Sequence, residues 1–322
     1  MDWKLVLNIV LLIVGMALLV KGADFFVDGA SNIAKALKIP SLIIGLTLVS
    51  MGTSAPEVSV GINSALSGMK GLSIGNIVGA NILNTFFILG ISAVIIPIAI
   101  SSDMKKLDIP ILIGIYVLLL IFSFVLTPGT LDRLEGIIML VLFVAYMVFL
   151  VLRAKKSGAD NPEENSEKKK QPIWLSIILT VVGLAGIVFG GELVVNNASE
   201  LAIKLGMSEL LVGLTIVAIG TTLPELVTSV VAALRKEEDI AVGNVIGSNI
   251  FNTIFILGIT STISPLSTEG ALVDMVLLLC SGLILLLIAL FCKKMSRWQG
   301  ILMILVYLSY LTYIILRNYI IV

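Results

Sequence analysis

The sequence contains no histidine. That excludes the commonest proton shuttle near neutral pH and the commonest transition-metal ligand, so proton movement would fall to Asp or Glu. Charge is scarce too: Asp, Glu, Lys and Arg make up 13% of the 322 residues, against roughly 25% in a soluble domain. Hydrophobic residues make up 58%, and the formal net charge is zero, so no overall basic excess points to nucleic acid. The two cysteines, Cys280 and Cys292, lie in or beside one late apolar run, so no disulfide framework or thiol metal site follows from them. There is no nucleotide-binding or catalytic motif, which argues against an ATP-driven pump, an enzyme or a resident cofactor.

What is present is apolar sequence in lengths that suit a bilayer. A helix needs about 20 residues to cross roughly 30 Å of hydrocarbon. Such runs lie near 4–22, 41–67, 72–98, 107–126, 134–152, 173–196, 208–234, 240–264, 271–291 and 298–317. The expected fold is an all-α polytopic membrane protein with ten transmembrane helices. The first run ends in Lys21 and Asp24 with no small-residue cleavage site, so it reads as a span and not as a removable signal.

The long polar stretch RAKKSGADNPEENSEKKKQP, residues 153–172, has no apolar periodicity and is expected to be a mobile loop. It divides the chain into a first five-helix half, 1–153, a linker, 154–172, and a second half, 173–322. With the linker inside, that face collects Lys35, Lys38, Lys105, Lys106, Arg153, the linker lysines, Arg235, Lys236, Lys293, Lys294 and Arg297. Lys4, Lys70, Arg133, Lys204 and Arg317 fall outside. The positive-inside rule thus puts both termini outside and the linker in the cytoplasm of a cell-membrane protein.

The halves repeat each other. GLTLVSMGTSAPE at 45–57 matches GLTIVAIGTTLPE at 213–225, and SIGNIVGANILNTFFILG at 73–90 matches AVGNVIGSNIFNTIFILG at 241–258. Both matches share one offset, 225 minus 57, or 168 residues. Five spans per half is an odd number, so the halves enter the membrane in opposite senses. Inverted repeats of this kind bind substrate near the midplane on broken helices, and transport becomes the leading reading.

The repeated segments, 45–90 and 213–258, carry the chemistry. Pro56 and Pro224 have no N–H, so helical carbonyls near Gly52 and Gly220 lose their partners. At membrane depth such groups persist only where protein, water or an ion satisfies them. Thr53, Ser54, Thr221 and Thr222 add hydroxyls, and Glu57 and Glu225, one turn on, are expected on the same face. Asn84 and Asn252 follow the glycine pairs Gly75/Gly79 and Gly243/Gly247, which permit close helix approach.

This oxygen-only set suits hard cations; Ca²⁺ takes about 6 to 8 oxygens at about 2.3 to 2.6 Å. Two buried carboxylates require one Ca²⁺, two or more Na⁺ or two protons for neutrality. A site too costly to cross empty and filled equally by competing ions is suited to exchange. Asp24 and Glu192 share the offset but lack that context, and read as structural or vestibule-lining.

At these residues the sequence resembles the cation/Ca²⁺ exchanger superfamily, most of all its prokaryotic Na⁺/Ca²⁺ branch. The resemblance rests on GTSAPE with GNIVGANILN and on GTTLPE with GNVIGSNIFN, and it covers essentially the whole chain. It implies four central ion sites between the second, third, seventh and eighth helices, with sliding of the first and sixth giving alternating access. It also implies Ca²⁺ ligation by Glu57 and Glu225, hydroxyls from Thr53, Ser54, Thr221, Thr222 and Ser248, backbone oxygens from Ser50 and Ala218, and amides from Asn84 and Asn252. Relatives often carry Asp at position 252, and its absence argues against K⁺ dependence. They often carry serine at Ala80, and alanine there removes an oxygen from the Na⁺ pocket expected around Thr221, Thr222, Glu225 and the Ala218 backbone.

The implied activity is Na⁺/Ca²⁺ antiport by a lipid-embedded monomer. A Ca²⁺/H⁺ antiporter and a cation channel or ion sensor are the competing readings. An inverted repeat with broken helices matches a ring-like pore poorly.

Overall fold

The computed structural model describes residues 3–160, 172–205 and 218–320. Among the described residues the regular structure is helical apart from four two-residue strands. In chain order the membrane helices are α1 (Trp3–Leu37), the pair α2 (Ser41–Thr53) and α3 (Ala55–Leu66), α4 (Gly71–Ile95), α5 (Met104–Leu126) and α6 (Arg133–Lys156). The second half contributes α7 (Ile173–Lys204), the shorter α8 (Leu223–Leu234), α9 (Glu238–Ile263), α10 (Leu272–Phe291) and α11 (Arg297–Arg317). Eight of these are long and apolar enough to cross a membrane, and α2 with α3, bent by 50° at their junction, makes a ninth. The span expected over 208–234 falls partly outside the described residues, and of the polar loop expected over 153–172 residues 153–160 instead continue the helix Arg133–Asp160, with 161–171 outside the described residues.

The strands fix how the helices run. β1 (Ile98–Ala99), between α4 and α5, pairs with β4 (Lys294–Met295), between α10 and α11. β2 (Thr130–Leu131), between α5 and α6, pairs with β3 (Leu266–Ser267), between α9 and α10. Because α5 leads from the first pair to the second and α10 leads back, the two helices are antiparallel.

Burial separates a core from a periphery. The most apolar stretch of α9 is 94% buried and that of α4 78%, whereas those of α1 and α7 are only 22% and 28% buried. α1 and α7 pack chiefly on each other, at glycines: a Cβ at Gly22 would stand 2.8 Å from the Gly183 carbonyl oxygen. At its C-terminal part α1 is tied to the 235–237 turn. Arg235 bridges Asp24 at 3.0 Å and Asp28 at 3.3 Å, while Glu237 accepts from the Ser31 hydroxyl at 2.6 Å and pairs with Lys35 at 3.3 Å. Asp24 is thus engaged in a structural ion pair away from the central carboxylates.

Two ion-pair clamps hold the outer helices. Arg153 grips the fully buried Asp108 at 2.6 and 3.2 Å and reaches Asp103 at 3.0 Å. On α11, Arg317 pairs with Asp274 at 3.0 Å, and the Tyr310 hydroxyl donates to the same carboxylate at 3.1 Å.

Candidate ion-binding site

Proline sets the local geometry. Pro56 and Pro224 lie in the first turns of α3 and α8, where a missing N–H is harmless, but each withholds a hydrogen bond from the turn before it. At the breaks, Ser54 has φ −79° and ψ 10°, and Thr222 has φ −91° and ψ 4°, both off the helical basin. Glu57 and Glu225 therefore fall in the first turn of a helix, where free N–H groups and the positive dipole end favour a carboxylate. Both side chains are fully buried.

The halves exchange carboxylates. Ser54 Oγ donates to Glu225 Oε1 at 2.9 Å, and Thr53 and Ser248 also lie against Glu225. Glu57 in turn lies beside Thr221. From the sequence, each carboxylate is expected on the face of its own hydroxyls, with Glu225 grouped with Thr221 and Thr222. The 50° bend between Thr53 and Glu57 turns the carboxylate off that face and toward the opposite half. Thr222 Oγ1 donates to the Ile219 carbonyl at 2.9 Å and so caps its own turn. The Ser50 carbonyl accepts from the Ser54 N–H at 3.1 Å, Thr53 Oγ1 at 3.3 Å and Ser248 Oγ at 3.4 Å. Ala218 opens the helical turn Ala218–Thr221, which packs against the helix of the buried Ala80.

The close approach is visible for the glycine pair of the second half. A Cβ at Gly243 would stand 2.9 Å from Gly45 Cα, and one at Gly247 2.7 Å from Leu46 Cα. Only glycine permits this approach of α9 to α2, which carries Ser248 onto Ser50. Among the described residues nothing lies within 4 Å of the same construction at Gly75 or Gly79.

Asn84 and Asn252 sit where α4 and α9 widen. The Leu89 N–H reaches back five residues to the Asn84 carbonyl, and the Leu257 N–H to that of Asn252, a wide turn common at functional positions. α3 packs against the segment containing Asn252, and α8 against the one containing Asn84. Asn84 Nδ2 donates to Asn249 Oδ1 at 3.1 Å and Asn252 Nδ2 to Asn81 Oδ1 at 3.0 Å. Of the carboxylate and amide oxygens of these four residues, five are buried and make no hydrogen bond among the described residues: Glu57 Oε1 and Oε2, Glu225 Oε2, Asn84 Oδ1 and Asn252 Oδ1. Buried acceptors left unpaired are costly, and this set offers a cation oxygens from both halves at once.

The sequence reading did not single out Asn81, Thr85, Asn244, Asn249 or Thr253. Asn244 accepts from Thr53 Oγ1 at 3.0 Å and donates to Ser229 Oγ at 2.9 Å. Asn81 with Asn249, and Thr85 with Thr253, stand at the same 168-residue offset, a signal present in the quoted repeats.

A family model described as sodium/calcium exchanger protein matches residues 7–152 and 175–316. The chain belongs to this family. Sodium/calcium exchanger MaX1 of Methanosarcina acetivorans is 32% identical over 342 aligned positions, covering 94% of this chain and 97% of its own. Inner membrane protein YrbG of Escherichia coli is 39% identical over 266 positions, 79% of either chain. The solved structure of the sodium-calcium exchanger NCX_Mj, soaked with 2.5 mM Na⁺ and 0.1 mM Ca²⁺, superposes with a TM-score of 0.83 at 31% identity. That match covers 95% of this chain and 98% of the exchanger's. The chain is thus a multi-pass, all-helical membrane protein with the fold of this exchanger family.

Proposed function

We propose that this chain is a secondary antiporter that exchanges Na⁺ for Ca²⁺ across the membrane by alternating access. The observation that carries the reading is the set of five donor-free buried oxygens from Glu57, Glu225, Asn84 and Asn252. Two negative charges in a buried, oxygen-only site match one Ca²⁺ or a small number of Na⁺, with neither nitrogen nor sulfur involved. Relatives named as sodium/calcium exchangers along nearly their whole length support the same cargo. The proposed chemistry is ion movement without bond making.

In this reading Glu57 and Glu225 supply the charge, and the amide oxygens of Asn84 and Asn252 complete the centre. Thr53, Ser54, Ser248 and the Ser50 carbonyl flank it on one side, and Thr221, Thr222 and the Ala218 carbonyl on the other. An ion arriving at Glu225 would compete with the Ser54 hydroxyl, which then rotates to offer a lone pair. Moving across with its carboxylates bare costs several kcal/mol per charge, so the site crosses loaded. That cost couples the two ions.

The proposed architecture is ten spans in two inverted five-helix halves, 1–153 and 173–322, joined by a cytoplasmic linker over 154–172, with both termini outside and the monomer as the working unit. Antiparallel α5 and α10 and the two strand pairs at opposite ends support the inversion. The packing of α1 and α7 chiefly on each other supports their sliding as a pair across the core.

The test is Ca²⁺ uptake into proteoliposomes under separate Na⁺ and pH gradients. Uptake driven by outward Na⁺ and indifferent to pH is expected. Uptake driven by protons alone would replace this reading with Ca²⁺/H⁺ antiport, and gradient-independent conductance would replace it with a channel.

A further inference from the structure

Building on the reading of Asn84 and Asn252 as ion ligands, we propose that Asn81 and Asn249 are positioning residues that decide which edge of those amides an ion meets. An asparagine amide has an oxygen edge and an NH₂ edge of similar size, and only the first attracts a cation. What orients it must be a group that cannot be turned around. A backbone carbonyl is such a group, because it accepts and never donates.

The relay starts from two carbonyls. Asn81 Nδ2 donates to the Asn249 carbonyl at 3.2 Å and to Thr253 Oγ1 at 2.9 Å. The Thr253 proton is itself committed to the Asn249 carbonyl at 2.8 Å, so that hydroxyl can only accept from Asn81. The nitrogen edge of Asn81 is thereby fixed, and its Oδ1 faces the Asn252 Nδ2 at 3.0 Å. Asn252 must then point its own Oδ1 the other way, where it meets no donor among the described residues.

The opposite half runs the same relay with roles exchanged. Asn249 Nδ2 donates to the Asn81 carbonyl at 3.4 Å and to Thr85 Oγ1 at 2.8 Å. Thr85 is bound to the Asn81 carbonyl at 3.0 Å, and Asn249 Oδ1 accepts from Asn84 Nδ2 at 3.1 Å. All six side chains are fully buried, so bulk water does not compete for these bonds. Each amide ligand is thus aimed by the asparagine of the other half, and losing one brace frees one ligand to turn its N–H groups toward the ion.

The relay also suits an amide at position 252. A carboxylate there would set an oxygen against Asn81 Oδ1, acceptor to acceptor.

The test measures Ca²⁺ binding to the purified full chain by titration calorimetry in Na⁺-free buffer, with thermal unfolding in the absence of Ca²⁺ recorded alongside. Asn81→Leu keeps the bulk and removes the acceptor that holds Asn252. A ten- to hundredfold loss of Ca²⁺ affinity is expected, the usual effect of removing a partner that orients a metal ligand. A carboxylate presents oxygen whichever way it turns, so adding Asn252→Asp to Asn81→Leu is expected to recover most of the loss, a strongly non-additive pair. Unchanged affinity in Asn81→Leu, or a double variant no tighter than Asn81→Leu, overturns the proposal.

Asn252→Ala separates the two levels. Undiminished Ca²⁺ affinity in that variant removes the ligand assignment itself and the proposal with it. Weakened affinity there, with normal affinity in Asn81→Leu, removes only the brace. Should Asn81→Leu not fold, Asn249→Leu with Asn84→Asp as its rescue poses the same question from the other half.

Discussion

Gly247→Ala adds one methyl group where α9 meets α2. The new carbon would stand 2.6 Å from Ser50 Oγ, a side chain that can turn, and 2.7 Å from Leu46 Cα and 2.8 Å from the Leu46 carbonyl oxygen, whereas ordinary contact begins near 3.4 Å. The two Leu46 atoms are backbone and cannot swing aside, so α9 must back away from α2 by roughly 0.7 Å. Overpacking of this kind costs about 1 to 3 kcal/mol, and the better helix propensity of alanine returns up to about 1 kcal/mol. The net loss of stability is therefore about 0 to 3 kcal/mol. The site suffers more than the fold does. Ser248 Oγ, already 3.4 Å from the Ser50 carbonyl, moves out of hydrogen-bond range, and binding geometry tolerates only about 0.5 Å. The account predicts a Ca²⁺ affinity about tenfold weaker by calorimetry, with a melting temperature only slightly lowered. A variant that binds Ca²⁺ as the wild type does would refute the claim that this glycine contact sets the site.

Other perturbations test other parts of the account. Asp108→Ala leaves Arg153 buried without its main partner and is expected to destabilise the protein by about 3 to 5 kcal/mol, read as a large fall in melting temperature; an unchanged melt would show that the clamp is unimportant. Ala80→Ser restores a hydroxyl beside the Ala218–Thr221 turn and should strengthen Na⁺ inhibition of Ca²⁺ uptake, whereas Ser248→Ala should weaken it. A hydrogen-bond-scale contribution of about 1.5 to 3 kcal/mol corresponds to roughly ten- to hundredfold in affinity, and an unchanged Na⁺ dependence would take position 80 out of the Na⁺ site. In a background lacking Cys280 and Cys292, a cysteine at Ser166 should label only from the cytoplasm and one at Glu269 only from outside; the reverse pattern would invert the topology.

The span positions and the doubled polar segments were legible because a hydroxyl, amide or carboxylate inside an apolar run is costly, and each such residue recurs at a single offset. Which half faces which was not legible. An offset relates equivalent residues but is silent on contacts, so the crosswise pairing of Ser54 with Glu225 emerges only from the bend at Ser54. The asparagine relay was written in the quoted repeats, yet Asn81 and Asn249 look like packing residues until their hydrogen bonds are traced. The two clamps escaped because the register slips: Asp274 follows Asp108 by 166 residues and Arg317 follows Arg153 by 164, so a fixed offset of 168 passes them by. The expected close approach at Gly75 and Gly79 has no counterpart among the described residues, since the segment equivalent to α2 lies largely outside them.

The central claim is that Glu57 and Glu225 carry the two charges that bind the transported Ca²⁺. Na⁺-gradient-driven uptake of radioactive Ca²⁺ into proteoliposomes, with Glu57→Gln and Glu225→Gln compared at equal reconstituted amounts, tests it directly. Each substitution keeps the shape of the side chain and removes one of the two buried charges, and the account predicts that either abolishes uptake while the purified variants still fold and run as single species on size exclusion. Near-normal Ca²⁺ uptake by either folded variant would contradict it.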